Sequence, residues 1–411
     1  MRNYSQIRRL FGSFVCGLLV VASPSSIAAK TQLAENSQTT CQGMTAPNFL
    51  VVGGGGAPSY NEIALEKNVL YFQRTLEFMG YNPQAASIFF ANGNDGKASV
   101  RYIDSQGKEQ FKVPEILNVK GATTLSNLQS YFQELASLKD NKPLFLYFTG
   151  HGGKNAKDLE NNYFYLWNDD SLSVKQLAKM LDKSPQKPVV MMMSQCFSGS
   201  FANFIYEGGD PKRPLALQTR CGFFATIKTL PSVGCTPEVN EADYKDYSSS
   251  FFAGLSGRDR TGKKVASADY NQDGKISYME AHAFAKVDEK TRDFPISTSE
   301  SWLQRKVNEK QQAIILSQPI TDSLKTARIE QQYVINSLIS ILQLDKQKSY
   351  LENYKNFTSK TKTDVQQGYM GRLQMQLIDI AVEKEIRSSG NKKDIAMLNK
   401  LLKCESGYLA K

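Results

Sequence analysis

Two segments of the chain place a reactive side chain directly after an apolar run. Residues 144–148 lead into TGHGG, which contains His151, and residues 189–193 lead into SQCFSGS, which contains Cys196. A thiol with a pKa of about 8.5 is only slightly ionised at neutral pH, so it needs a base to act as a nucleophile. An imidazole can take that proton and return it to a leaving amine. The pattern predicts a dyad of Cys196 as nucleophile and His151 as acid/base.

Small residues surround both reactive positions. Gly152 follows His151, and residues 198–200 after Cys196 are Ser-Gly-Ser. The backbone amides of Gly152 and Cys196 are predicted to stabilise an oxyanion, a contact worth roughly 3–4 kcal/mol per donor in other hydrolases. The second histidine of the chain, His282, is the spare candidate base. For His151, the alternative is a structural histidine packed in the core.

The elements that must position the dyad are short strands alternating with helices. Apolar runs at 48–52, 87–90, 144–148 and 189–193 alternate with helical patterns at 63–79, 125–138 and 174–181. Such alternation is typical of a mostly parallel sheet covered by helices on both faces. Reactive groups gather at the carboxyl ends of parallel strands, so the two motifs are expected at one edge. The glycines at 53–56 lack a complete phosphate-loop pattern and predict a tight turn near the substrate.

Four sequence blocks carry a further signal. They are YFTGHGG at 147–153, LWNDDSLSVKQLAKML at 166–181, VVMMM followed by SQCFSGSF at 194–201, and FFAT at 223–226. These blocks resemble the caspase-fold cysteine peptidases, and within them the legumain-like (hemoglobinase) group that includes the catalytic subunit of the GPI transamidase. The resemblance covers about residues 47–300. It implies a caspase-like three-layer αβα fold, with His151, Cys196 and Gly152 as catalytic histidine, nucleophile and oxyanion donor.

The chain departs from the legumain pattern after the first strand. Residues 59–62 lack the basic pair that legumains place there to recognise the residue before the scissile bond. Glu62, with Asp243 or Asp246, would equally favour a basic residue, while solvated surface acids are the alternative. Glu62 and Ser248 are therefore the candidate substrate-binding residues.

A second motif predicts a calcium site in an EF-hand-like loop at 269–280. The loop matches D-x-[DN]-x-[DN]-G-x-I-x-x-x-E, and calcium takes about six to eight oxygen ligands. The alternative is an Asx turn that caps a helix at 278–286. A structural Ca²⁺ would be bound by Asp269, Asn271, Asp273, the carbonyl of Lys275, a water near Ser277, and Glu280.

The first 28 residues have the pattern of a signal peptide. A basic start is followed by an apolar run at 10–22 that is too short to span a bilayer, and then by Ser26-Ile27-Ala28. Residues 29–46 are polar and predict a flexible lead-in. The protein is thus expected to be exported, to a periplasmic or extracellular location.

Five cysteines remain after removal of that leader. In an oxidising compartment an odd number predicts two bridges and one free thiol. We expect Cys221 to pair with Cys235 and Cys41 with Cys404, leaving Cys196 unpaired. The alternative is that all five are reduced and buried.

The segment from residue 301 to 411 has apolar stripes at helical spacing only, so it predicts an all-helical C-terminal domain behind a catalytic domain at 47–300. The net charge of +10 lies in the leader and in this segment, which argues against a nucleic-acid partner. The basic surplus would suit an anionic partner, with a solvated helix face as the alternative. The segment is also a candidate prodomain that covers the cleft and inhibits the enzyme intramolecularly.

Together these features predict an exported cysteine endopeptidase that acts on polypeptides through a thioacyl intermediate. Two alternatives stay open. A transpeptidase or ligase would use the same dyad, because the acceptor is chosen by the cleft. A catalytically inactive caspase-fold binding module would keep the fold alone.

Overall fold

The structure is a computed structural model that describes residues 46–138, 140–358 and 362–409. The predicted signal peptide and nearly all of the predicted lead-in, with Cys16 and Cys41, lie outside the described residues. No helix in the described part of the chain is long and apolar enough to cross a membrane.

The strands and helices follow one another in the alternating order that the sequence predicted. The described strands are β1 (Asn48–Gly54), β2 (Ala86–Phe90), β3 (Val100–Ile103), β4 (Glu109–Lys112), β5 (Val119–Gly121), β6 (Leu144–Gly150), β7 (Gly152–Gly153), β8 (Tyr163–Leu166), β9 (Asp170–Ser173), β10 (Val189–Ser194), β11 (Arg220–Phe224) and β12 (Ile296–Ser297). The described helices are α1 (Ile63–Phe78), α2 (Leu125–Ser137), α3 (Val174–Leu181), α4 (Tyr247–Ser256), α5 (Tyr278–Asp288), α6 (Thr298–Gln304), α7 (Glu309–Leu316), α8 (Ile320–Leu324), α9 (Ile329–Leu342), α10 (Tyr350–Thr358), α11 (Asp364–Ser388) and α12 (Lys392–Glu405).

A seven-stranded sheet forms the centre, in the order β12-β11-β10-β6-β1-β2-β5. All neighbours in it are parallel except β11 and β12, which pair antiparallel. Two small antiparallel sheets, β3-β4 and β7-β8-β9, lie outside it. The expected mostly parallel central sheet is confirmed, while β5, β11 and β12 extend it beyond the four strands predicted.

The strands are apolar on both sides because both faces of the sheet are covered. Leu50 and Val52 of β1 join a core that includes side chains of α2 and α3, whereas Phe49 and Val51 join a second core with α1 and α4. This period-two division places helices above and below the sheet. The three-layer αβα expectation is thereby confirmed.

The predicted helical C-terminal region is also confirmed, and it packs on the first of those faces. Leu373 and Ile380 of α11 and Leu398 of α12 are buried in the same core as Leu146 of β6. At the start of α6, the buried Glu405 carboxylate accepts hydrogen bonds from the Ser299 amide and from nearby hydroxyls. The helices are therefore part of the packing that supports the sheet.

The predicted disulfide pairing is wrong. Cys221 of β11 is bonded to Cys404 of α12, which excludes both Cys221–Cys235 and Cys41–Cys404. Cys221 lies within the buried strand, whereas Cys235 lies in a loop at the carboxyl edge of the sheet, near the Gly150 carbonyl. Helix packing that is remote in sequence decides the partner. Cys196 is unpaired, as expected, and Cys235 is a second free thiol among the described residues.

Candidate active site

Strands β6 and β10 bring the two predicted catalytic residues to the same edge of the sheet. The strands are parallel neighbours whose paired positions end with Ser194 opposite Thr149. His151 and Cys196 each follow two residues later, so both leave the sheet at the same level. A Cβ atom placed on Gly152 would lie 2.0 Å from the Cys196 carbonyl oxygen. The two segments are thus in direct contact, and the close approach explains the need for glycine at position 152.

His151 is held by a carboxylate that the sequence suggested for a different role. The His151 Nε2 atom lies 2.8 Å from Oε2 of Glu62, while Oε1 of Glu62 accepts from Arg101 at 2.8 Å. Burial by itself would raise the pKa of Glu62, but the hydrogen bond and charge of His151 and the hydrogen bond from Arg101 outweigh it and lower this pKa. Glu62 is consequently ionised and can only accept. His151 therefore donates from Nε2, which leaves the lone pair of a neutral imidazole on Nδ1.

The Cys196 thiol is half-buried under a loop that follows β11. The Ser232 amide donates to Sγ at 3.3 Å, and Sγ lies 3.5 Å from the Ser232 carbonyl oxygen. Burial raises the pKa of Cys196, and the Ser232 hydrogen bonds offset this only in part. The resting thiol is therefore protonated, and it needs a base to become a nucleophile.

The chain turns sharply directly after Cys196. Phe197 has a φ of 58°, in the left-handed region that non-glycine residues rarely adopt. Its amide donates to the Leu230 carbonyl at 2.9 Å, which joins the turn to the same loop that carries Ser232. The position of the thiol thus depends on this loop.

The buried carboxyl group of Asp293 holds that loop in place. The Val233 amide lies 3.2 and 3.1 Å from the two carboxyl oxygens of Asp293. Burial and the neighbouring Glu289 raise the pKa of Asp293 to about 9. Arg372 of α11 donates to the carbonyls of Glu289, Thr291 and Asp293, and so fixes the segment that carries both acids. The C-terminal helices therefore reach the active-site loop through this segment.

The other candidate substrate-binding residue, Ser248, lies in a polar network beneath the sheet edge. Its side chain is fully buried, and its hydroxyl donates to both carboxyl oxygens of Asp246. Asn68 bridges Asp246 to Thr149 at the end of β6, with donor–acceptor distances of 3.0 and 3.1 Å. Asp243 is exposed and accepts from Asn240. The network supports the end of β6 from below.

His282, the spare candidate base, is packed in the core. It is buried in α5, where Nδ1 lies 2.7 Å from the Tyr247 hydroxyl and Nε2 lies 3.0 Å from Glu300. Burial lowers the pKa of His282. Both ring nitrogens are engaged within the core, which leaves His151 as the histidine at the sheet edge.

The predicted calcium loop is an ordered turn of oxygen-bearing side chains. The Asp269 carboxylate accepts from the amides of Asp273 and Gly274 at 3.1 and 3.0 Å, and Gly274 has a φ of 80°. Asn271 accepts from the Asp273 amide, and Asp273 accepts from the Lys275 amide. The all-oxygen donor chemistry of this set fits the preference of Ca²⁺.

Glu280 at the end of the loop also has a second role. Its carboxylate accepts from the Tyr270 amide and from both the amide and hydroxyl of Ser277, which caps α5. The carboxylate of Glu280 thus serves both the cap of α5, which is Ser277, and the acidic loop.

Several residues of the site carry no recognisable signal in the sequence. Arg101, Ser232 and Asp293 lie in separate segments far from both motifs. Only the fold brings Arg101 to Glu62, Ser232 to Cys196, and Asp293 to the loop that carries Ser232. The sequence also assigned Cys235 no place in the site, because it predicted a disulfide for this residue. Ser232 lies 36 residues after Cys196, and no known motif has this spacing.

A mostly parallel αβα sheet with a cysteine and a histidine at adjacent strand ends is the architecture of a caspase-like cysteine peptidase. The model of the Peptidase C13 family, the legumain family, matches residues 82–208. This match confirms the predicted resemblance to legumain-like cysteine peptidases over that segment, and peptidases of that family act on polypeptides.

Two further comparisons add little. No curated protein sequence matches the chain. Among solved structures, the crystal structure of protein GSU0716 from Geobacter sulfurreducens is similar at 14% identity and a TM-score of 0.29. That similarity covers 46% of this chain and 76% of the other.

Proposed function

We propose that the protein is an exported cysteine endopeptidase that hydrolyses peptide bonds with Cys196 and His151. One observation carries the proposal: Ser194 of β10 is paired with Thr149 of β6. Cys196 and His151 each follow two residues later, so they leave the sheet side by side. Neighbouring parallel strands lie about 4.8 Å apart, so the side chains that follow them can share one proton.

The reaction has two halves. His151 removes the thiol proton, and Sγ of Cys196 attacks the carbonyl carbon of the scissile bond to form a tetrahedral oxyanion. When the C–N bond breaks, the imidazolium gives its proton to the amine and a thioester remains on Cys196. His151 then takes a proton from water, whose oxygen attacks the thioester, and the protonated imidazole returns that proton to the thiolate.

Backbone amides are proposed to stabilise the charge that develops on the substrate oxygen. Those of Gly152 and Cys196 are the candidates, because the two residues are in contact and follow strand ends at the same level. One such donor contributes about 3 kcal/mol to the transition state in hydrolases of known mechanism.

Glu62 is proposed to position His151. Its hydrogen bond selects the imidazole tautomer with the lone pair on Nδ1, and Arg101 fixes its other oxygen. A role for Glu62 or Ser248 in recognising a basic side chain stays a prediction, and both are buried.

A structural Ca²⁺ is proposed in the loop at 269–280, because the side chains of this loop offer the oxygen ligands that Ca²⁺ prefers. The residues that would hold it are Asp269, Asn271, Asp273, Lys275, Ser277 and Glu280. The ion would support α5, which packs beneath the sheet with α4.

The leader at 1–28 and the Cys221–Cys404 disulfide both support the proposal that the protein is exported. Disulfides persist in oxidising compartments such as the periplasm and the extracellular space. The disulfide and the leader are independent features that favour the same location.

The test compares Cys196→Ala with wild type on casein and on a peptide library. Removal of the nucleophile should lower kcat by orders of magnitude while the protein stays folded by circular dichroism. Wild-type rates in the variant would refute the dyad. Product masses with and without an added amine separate hydrolysis from transpeptidation, and failure of a thiol-directed peptide probe to label Cys196 would favour the inactive binding module.

A further inference from the structure

Cys235 is a free thiol at the edge of the active site that the proposed chemistry does not use. Its side chain points toward the dyad, with Sγ 3.7 Å from the Gly150 carbonyl oxygen. The ligand atoms of Cys235, Glu62 and His151 all lie within 4.8 Å of one another. A thiol, a carboxylate and an imidazole therefore converge on one point.

We propose that Glu62, His151 and Cys235 form a Zn²⁺ site, and that the bound ion inhibits the enzyme. The metal site stands on the geometry of these three residues alone. The inhibition rests in addition on the proposed function, because it requires His151 to be the acid/base.

The ligand set suits zinc in type and in size. Zinc binds thiolate sulfur at about 2.3 Å and imidazole nitrogen or carboxylate oxygen at about 2.0–2.2 Å, in tetrahedral geometry. These bond lengths separate the ligand atoms by roughly 3.4–3.6 Å. Ligand atoms that already lie within 4.8 Å need shifts on the order of 1 Å to reach this spacing. A thiolate ligand disfavours Ca²⁺ and Mg²⁺, which prefer oxygen.

The charges around the cluster also favour a dication. Glu62 is ionised, and Arg101 holds its Oε1 at 2.8 Å, which leaves Oε2 directed toward His151. Burial, with the charge of Glu62, raises the pKa of Cys235 far above its ordinary value, so the free thiol keeps its proton. Zinc would replace this single proton, which leaves to solvent, while the imidazole binds in its neutral form.

The location of the three residues indicates how zinc would reach the site and why it would inhibit the enzyme. The His151 side chain is 24% exposed, so an ion can reach it from solvent. Glu62 Oε2 faces Nε2 of His151, so zinc shared with Glu62 would bind at Nε2. The single ring proton of the neutral imidazole then lies on Nδ1, and no lone pair remains to accept the Cys196 proton. The nucleophile then stays protonated although its sulfur is not a ligand.

Cobalt absorption tests which sulfur binds the metal. Co²⁺ is added to the full-length protein with Ca²⁺ present, and a near-ultraviolet charge-transfer band reports a thiolate ligand. We expect the band in wild type and in Cys196→Ser and its loss in Cys235→Ser. A band that is lost in Cys196→Ser but kept in Cys235→Ser, or no band in wild type, would overturn the site.

Calorimetry and kinetics test the other ligands and the inhibition. We expect Glu62→Gln and Cys235→Ser to weaken Zn²⁺ binding on the order of 10- to 100-fold, and Glu109→Gln, the matched control on Arg101, to change it little. Zinc should inhibit peptide hydrolysis by wild type but not by Cys235→Ser, each relative to its own metal-free rate. If Cys196→Ala abolishes hydrolysis and zinc does not bind, only this inference fails. If the cobalt band behaves as expected but wild type hydrolyses no peptide, the metal site stands and the proposed function fails.

Discussion

The Glu62 carboxylate accepts a hydrogen bond from Nε2 of His151 at 2.8 Å. The sequence suggested Glu62 as a contact for a basic substrate side chain, whereas the structure shows it buried between His151 and Arg101. A carboxylate at this place fixes the tautomer of the base.

Replacement of that carboxylate should slow the chemical step. We expect Glu62→Gln to lower kcat on the order of 100-fold with little change in KM, since it removes the charge that orients and stabilises the imidazolium. Glu109→Gln, which alters the exposed partner of Arg101, is the control and should keep the wild-type kcat. A selective rise in KM for peptides with a basic residue before the scissile bond would instead support substrate recognition by Glu62.

The disulfide should be a major source of stability. Cys221 and Cys404 close a loop with a sequence separation of 183, and loss of a native disulfide costs about 2–5 kcal/mol of unfolding free energy. We expect this loss for Cys404→Ser in urea unfolding, and a smaller one for Cys235→Ser, which removes a free thiol. Mass spectrometry of a non-reduced digest should yield the Cys221–Cys404 peptide pair. A Cys221–Cys235 pair would contradict it.

Calcium should stabilise the folded state through the loop at 269–280. At about 100 times the dissociation constant, a ligand specific to the native state adds about 2.7 kcal/mol. We expect Ca²⁺ to raise Tm in wild type and in Asp259→Asn, a loop acid outside the motif, but not in Glu280→Gln. Glutamine keeps an acceptor for the capping box of α5 but loses the oxygen that accepts from the Tyr270 amide. The calcium effect is therefore read as the difference in Tm with and without Ca²⁺ within each protein. An equal rise in all three proteins would place calcium elsewhere.

Asp293 should make stability fall as pH rises. Burial and Glu289 raise the folded-state pKa of Asp293 to about 9, from a usual value near 4, while Arg372 and Asp246 are the other charged groups that act on it. Its stabilisation is complete below the unfolded pKa and is lost as pH rises through the folded pKa. The slope is at most about 1.4 kcal/mol per pH unit.

Unfolding at pH 5, 7 and 9 checks the Asp293 prediction. Asp293→Asn keeps an acceptor for the Val233 amide and should flatten the decline. Asp322→Asn on the surface helix α8 should follow wild type. A slope in Asp293→Asn identical to that of wild type would assign the pH dependence to other acids.

Removal of residues 301–411 tests whether the C-terminal helices support the fold or inhibit the peptidase. The deletion breaks the Cys221–Cys404 bond, exposes the core around Leu146, and takes Arg372 away from the segment that carries Asp293. We expect an aggregated or unfolded product by circular dichroism and size-exclusion chromatography. A folded truncated protein with higher peptidase activity than the full chain would support the prodomain hypothesis instead.

The sequence by itself determined the parts of the molecule that depend on local pattern. Apolar runs and helical spacing predicted β1, β2, β6 and β10 with α1, α2 and α3, because side-chain periodicity follows the geometry of each element. The same pattern placed His151 and Cys196 after neighbouring strands, since parallel strands end at one edge.

Tertiary structure alone decided which distant groups meet. The Cys221–Cys404 bond, the carboxylate of Glu62 on His151 and the anchoring of the Ser232 loop by Asp293 join segments between 60 and 183 residues apart. Such contacts arise from packing of helices and loops on the finished sheet, and no local periodicity encodes them. The order of strands in the sheet therefore brings His151 and Cys196 together, whereas tertiary packing places Glu62 and the Ser232 loop beside them.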